Sequence, residues 1–89
     1  MENVEQIEKQ IKSLKGKISR LEAKNKALAV EFTQLTSIPE EKRTTLINLR
    51  ISEIKLDTGN NNLKIFEHQY TIKELKKELE KQQSQAQPS

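Results

Sequence analysis

The sequence predicts an all-α protein, a two-helix antiparallel hairpin packed like a coiled coil. Three observations lead there. Apolar residues recur at heptad spacing from Val4 to Leu35, one proline at position 39 interrupts them, and a helical pattern resumes as far as Leu79. Composition removes the alternatives. The 89 residues are 33% charged and 33% hydrophobic, with two Phe, one Tyr and no Trp. A globule this small needs a denser core, disulfides or a metal. The chain has no Cys and a single His, His68. A disordered chain, in turn, would lack the 19 Ile and Leu that recur here at regular spacing. One helical domain over residues 4–83 is expected, with residues 1–3 as an N-terminal cap and a disordered Gln/Ser/Pro-rich tail at 84–89.

Helix 1 is placed at about residues 4–36. One seam row is Val4, Ile11, Ile18, Asn25 and Phe32; the other is Ile7, Leu14, Leu21, Leu28 and Leu35. β-Branched residues lead the first row and Leu the second, the arrangement that two-stranded coiled coils favour. Asn3 suits the N-cap, with Gln6 at capping-box spacing. Asn25 is the polar exception. It suits either an Asn pair in a parallel dimer or a tolerated polar residue in a wet seam. Gly16, Ala23, Ala27 and Val30 lie off the seam and read as a solvated face.

The turn falls at 36–39. Pro39 removes a donor and pushes Ile38 out of the helical region, while Glu40 and Glu41 suit the first turn of a new helix. Ser37 and Glu40 also have capping-box spacing. So short a connection makes the two helices antiparallel neighbours.

Helix 2 is placed at about 40–83, weakened near 58–61, where Thr58, Gly59, Asn60 and Asn61 are poor helix formers. It carries two apolar stripes. Ile47, Ile51, Ile54, Ile65, Ile72, Leu75 and Leu79 keep heptad spacing, with Thr58, Asn61 and His68 in the gaps. Leu46, Leu49, Leu56, Leu63, Phe66 and Tyr70 form the second set, centred about 165° from the first. The hairpin core is therefore expected from Ile7, Ile11, Leu14, Ile18, Leu21, Leu28, Phe32 and Leu35 against Ile47, Ile51, Ile54, Ile65, Ile72 and Leu75. A monomeric hairpin buries one face of each helix, so the Leu46–Tyr70 stripe is expected to bind a partner or a second copy.

Chemistry is sparse. Zinc, iron–sulfur and thiol sites lack ligands, no nucleophile–base set exists, and two Gly build no phosphate loop, so neither an enzyme nor a cofactor is expected. His68 reads as a packing residue. Net charge is +3 with Lys and Glu interleaved, as in Lys73–Lys81, which argues against nucleic acid. No basic region precedes Val4, which removes a leucine-zipper factor. No apolar run approaches a membrane span of about 18 residues, and no leader is visible, as in an intracellular chain or a mature secreted one. The alternative to a partner-binding protein is a self-assembling structural coiled coil, in which Asn25→Val would change the oligomeric state. In a hairpin the same change would mainly raise stability.

The segment SIPEEKRTTLINLRISEIKL (37–56) and the segment NNNLKIFEHQYTIK (60–73) resemble the phyllogens, secreted phytoplasma effectors that turn flowers into leaf-like organs. The resemblance spans about residues 4–83 and agrees with the length, the lack of Cys and the Lys/Asn/Ile bias. It implies a helical hairpin like the keratin-like (K) domain of plant MADS-domain transcription factors. It further implies binding to that domain in floral factors of the A and E classes, followed by proteasomal degradation through a ubiquitin-receptor shuttle protein. The site of action it implies is the cytoplasm and nucleus of the host plant cell, after secretion by the bacterium. Leu49, Leu56, Leu63, Phe66 and Tyr70, with Leu46 in support, are the residues expected to meet the target.

Overall fold

The computed structural model describes residues 3–86. Helix α1 runs Val4–Thr36, and its start is closed by Asn3, whose Oδ1 accepts from the Gln6 amide at 2.8 Å. At its end the Ser37 hydroxyl donates to the Thr33 carbonyl at 2.6 Å, and the Thr36 hydroxyl donates to the Phe32 carbonyl at 2.7 Å. These hydroxyls fold back onto the last turn of α1, where the Ser37 amide also donates to the Thr33 carbonyl at 3.1 Å. Ser37 thus ends α1 and does not begin the next helix.

Helix α2 runs Thr45–Ala86 and starts later than the expected position near 40. Glu40–Lys42 instead form one 3-10 turn, and Arg43 is extended with ψ 125°. The acidic pair sits at the head of that turn. The true cap is Thr44, whose Oγ1 accepts from the Ile47 amide at 3.2 Å. Arg43 ties the connection down. Its Nε donates to the Ile38 carbonyl at 2.9 Å and its Nη2 to the Thr36 carbonyl at 3.0 Å. A guanidinium there also faces the negative end of the α1 dipole.

Beyond Thr44, α2 is continuous through Gly59, and no glycine among the described residues has positive φ. The expected weakening at 58–61 is therefore not a break. Gly costs a helix interior about 1 kcal/mol and each Asn several tenths, but here the Asn residues have work across the seam. Asn25 Nδ2 donates to Asn62 Oδ1 at 2.8 Å, and Asn61 Nδ2 donates to Asn25 Oδ1 at 2.9 Å. Asn25 is therefore paired within the hairpin and needs no copy of itself. A Val at this position would delete both bonds, which removes the ground for expecting it mainly to stabilise. The helix continues to Ala86, a turn beyond the expected end at 83; residues 87–89 of the expected tail, like Met1 and Glu2 of the expected cap, lie outside the described residues.

The two helices pack antiparallel into a rod of 72 × 18 × 14 Å. Ile7, Ile11 and Ile72 are buried together at the open end, with Leu14, Ile18, Leu75 and Leu79 against them. Ile51 and Ile54 are buried nearer the turn. Leu21, Leu28, Phe32, Leu35, Ile47 and Ile65 are half-buried, as a seam only two helices thick dictates. Among the described residues one ion pair crosses it: Arg50 Nε and Nη2 reach Glu31 Oε2 and Oε1, both at 2.7 Å. This bidentate contact holds the Glu31 carboxyl below its ordinary value and Arg50 above its own.

Candidate interaction surface

The outward face of α2 is built from two heptad rows. Leu49, Leu56, Leu63 and Tyr70 form one; Ser52, Gly59, Phe66 and Lys73 form the next, three residues on. Because Ile47, Ile51, Ile54, Ile65 and Ile72 turn toward α1, these rows are held away from it by the same helical phase. Leu46, Leu49, Leu56, Leu63, Phe66 and Tyr70 are all open to solvent, between 53% and 77% exposed. At 1.5 Å per residue the stripe is about 36 Å long. Single exposed apolar residues are ordinary, but six on one helix face form a contiguous patch of the kind that marks a contact surface.

Charges border the stripe unequally. Glu53, Glu67 and Glu74 follow one edge and Lys55 and Lys76 the other, all exposed. Glu53 also reaches Arg50 at 3.4 Å, and Glu74 reaches Lys77 at 3.5 Å, so part of the acidic edge is internally paired. Such flanking charges select the orientation of a packed helix more than they add affinity.

A second surface lies along the flank of the seam. Lys17, Arg20, Lys24 and Lys64 line a shallow open groove with Leu21, and His68 is half-buried in it. His68 thus sits among cations, at the edge of the seam gap where its spacing placed it. The interleaving of Lys and Glu holds near the C-terminal end of α2 but not here. Between Lys9 and Lys26 seven cations stand against one carboxylate, Glu22. Gly16, Ala23, Ala27 and Val30 lie off the seam, with Val30 58% exposed and open space around Gly16.

Sequence reasoning passed over three contacts: the Asn25–Asn61–Asn62 cluster, the Glu31–Arg50 pair and the Arg43 clamp. The first had a signal, because Asn25 and Asn61 are both polar gaps in otherwise apolar seam rows. No group of His, Cys, Asp or Glu among the described residues could hold a metal, and no described helix is long and apolar enough to cross a membrane. Compared with family models, with curated proteins and with solved structures, the chain finds no match.

Proposed function

We propose that this chain is a phyllogen-like effector that captures the K domain of floral MADS-domain transcription factors by laying the Leu46–Tyr70 stripe of α2 against one of that domain's amphipathic helices. The observation that carries the reading is the second apolar face of α2, left open while its first face closes the hairpin. Helix recognition of this kind uses apolar anchors at heptad spacing, which Leu49, Leu56, Leu63 and Tyr70 supply. Phe66 and Tyr70 are the aromatic residues of the surface, a class enriched at interface cores, with Tyr also enriched among energetic hot spots. Secretion from the bacterium, action in the plant cytoplasm and nucleus, and delivery of the target to the proteasome through a shuttle protein belong to the same proposal and rest on the resemblance of residues 37–56 and 60–73. The protein acts in it as an adaptor, without catalytic chemistry.

Size-exclusion chromatography with light scattering, on the chain alone and mixed with a recombinant floral MADS K domain, tests the reading. A mixed complex of defined mass is expected. Leu56→Glu together with Leu63→Glu abolishes it and leaves the helical circular dichroism of the chain intact. Unchanged binding by that variant moves the interface to α1. A stable homodimer or tetramer that ignores the K domain hands the stripe to a self-assembling coiled coil instead.

A further inference from the structure

We propose that Gly59 is a receptor notch in the docking stripe, and that the partner is a helix of another protein which seats one bulky apolar side chain, Leu, Met or Phe, over it. The inference rests on the docking reading above and adds what the partner must look like. Leu56, Gly59, Asn60 and Leu63 stand at positions i, i+3, i+4 and i+7, the four corners of the hole that receives a knob in coiled-coil packing. Three of the corners carry side chains and the fourth carries none.

No close contact in the hairpin requires that absence, although Gly59 also borders a groove beside Asn25, Ala29 and Phe32 of α1. Gly59 lies in continuous helix without positive φ, and a Cβ added to it would meet nothing within 4 Å. Ala would serve the helix better. A missing side chain in the middle of an exposed apolar stripe matters only to something that approaches from outside.

A second copy of the chain is a poor occupant. In a parallel two-fold pairing in register, the stripe sets Gly59 beside its own counterpart. Two holes then face each other with nothing to fill them, and unfilled apolar space forfeits contact energy. Antiparallel pairing is opposed by charge instead, because it brings the edge of Glu53, Glu67 and Glu74 against the same edge of the copy. The geometry points to a non-identical helix, basic along the side that meets those carboxylates and acidic along the side that meets Lys55 and Lys76.

Isothermal titration of the recombinant K domain with the full chain, Gly59→Ala and Gly59→Leu, paired with thermal melts, tests this. Both variants are expected to melt higher than the unmodified chain. Ala should weaken binding a few-fold and Leu by about tenfold or more, since Leu occupies the space of the knob. Equal or tighter binding by Gly59→Leu, while Leu56→Glu with Leu63→Glu abolishes binding, overturns the notch and leaves the docking reading standing. Failure of the unmodified chain to bind the K domain overturns both. A lower melting temperature for Gly59→Ala overturns the notch by giving the glycine a role in the hairpin itself. A homodimer strengthened by Gly59→Leu overturns it in favour of a second copy.

Discussion

Replacing Ile54 by Ala, beside the same change at Leu56, measures how completely α2 divides its two faces. The residues are two positions apart on one helix, yet Ile54 is 2% exposed and Leu56 65% exposed. Each substitution removes three carbons. At about 0.8 kcal/mol per buried carbon, the transfer loss at Ile54 is about 2.4 kcal/mol, and a residual cavity adds to it. A seam two helices thick closes around a small void more readily than a deep core, so the total stays near 3 kcal/mol. At Leu56 only the covered third of the side chain counts, roughly 0.8 kcal/mol, and the slightly better helix propensity of Ala trims that toward about 0.5 kcal/mol. Urea unfolding followed by far-ultraviolet circular dichroism, at a concentration where light scattering reports the monomer, reads both values. A loss of 2 kcal/mol or more at Leu56 would refute the reasoning, because a side chain that open to water has too little contact to lose.

Asn25→Ala deletes two hydrogen bonds worth about 0.5–1.5 kcal/mol each, and because water reaches the freed amides the loss should be about 1–2 kcal/mol. Combined with Asn61→Ala in a double-mutant cycle, it should show coupling of at least about 0.5 kcal/mol, and strict additivity contradicts the pairing. Glu31→Gln tests the cross-seam ion pair. The carboxyl titrates below its ordinary 4.5 in the folded chain, so its contribution is complete above that pH and fades as the pH falls through the lowered value. The difference in urea midpoint between the unmodified chain and Glu31→Gln should therefore shrink on acidification below about pH 4.5 and in high salt; a constant difference rules the pair out as its source. Thr44→Ala should cost about 1 kcal/mol in a thermal melt, as the loss of an N-cap does, whereas Ser37→Ala, at the far side of the turn, should not remove a cap from α2.

Periodicity made most of the architecture legible. The extent of α1, its Asn3 cap, the turn at Pro39 and the opposition of the two α2 faces all follow from the spacing of apolar residues within one helix. What escaped required knowledge of both helices at once. Asn25 has a visible polarity but no visible partner, because the register that brings Asn61 and Asn62 to it is a property of the pair. The cost of Gly59–Asn62 was countable from propensity, while the cross-seam bonds that offset it were not. The start of α2 escaped for a local reason: Glu40 and Glu41 satisfy the head of a 3-10 turn as well as that of an α-helix, and Thr44 then supplies the cap. The outer stripe was visible in the sequence, but the open space around Gly59 was not.

Ile7, Ile11 and Ile72 close the open end of the rod, Ile51 and Ile54 are buried nearer the turn, and the Asn cluster lies between them, an arrangement that favours one order of assembly. Joining Ile7 to Ile72 directly would close a loop of about 65 residues, and closure entropy rises with loop length. Closing the turn first, with Arg43 and the Glu31–Arg50 pair, makes every later contact a short addition to a ladder already begun. On that argument the hairpin is expected to behave as a zipper. Its clasp at Ile7, Ile11 and Ile72 is expected to shut last and loosen first, with the half beside the turn still closed when the far end splays. Amide exchange graded along the long axis, slowest beside Ile51 and Ile54, is the signature of that mechanics.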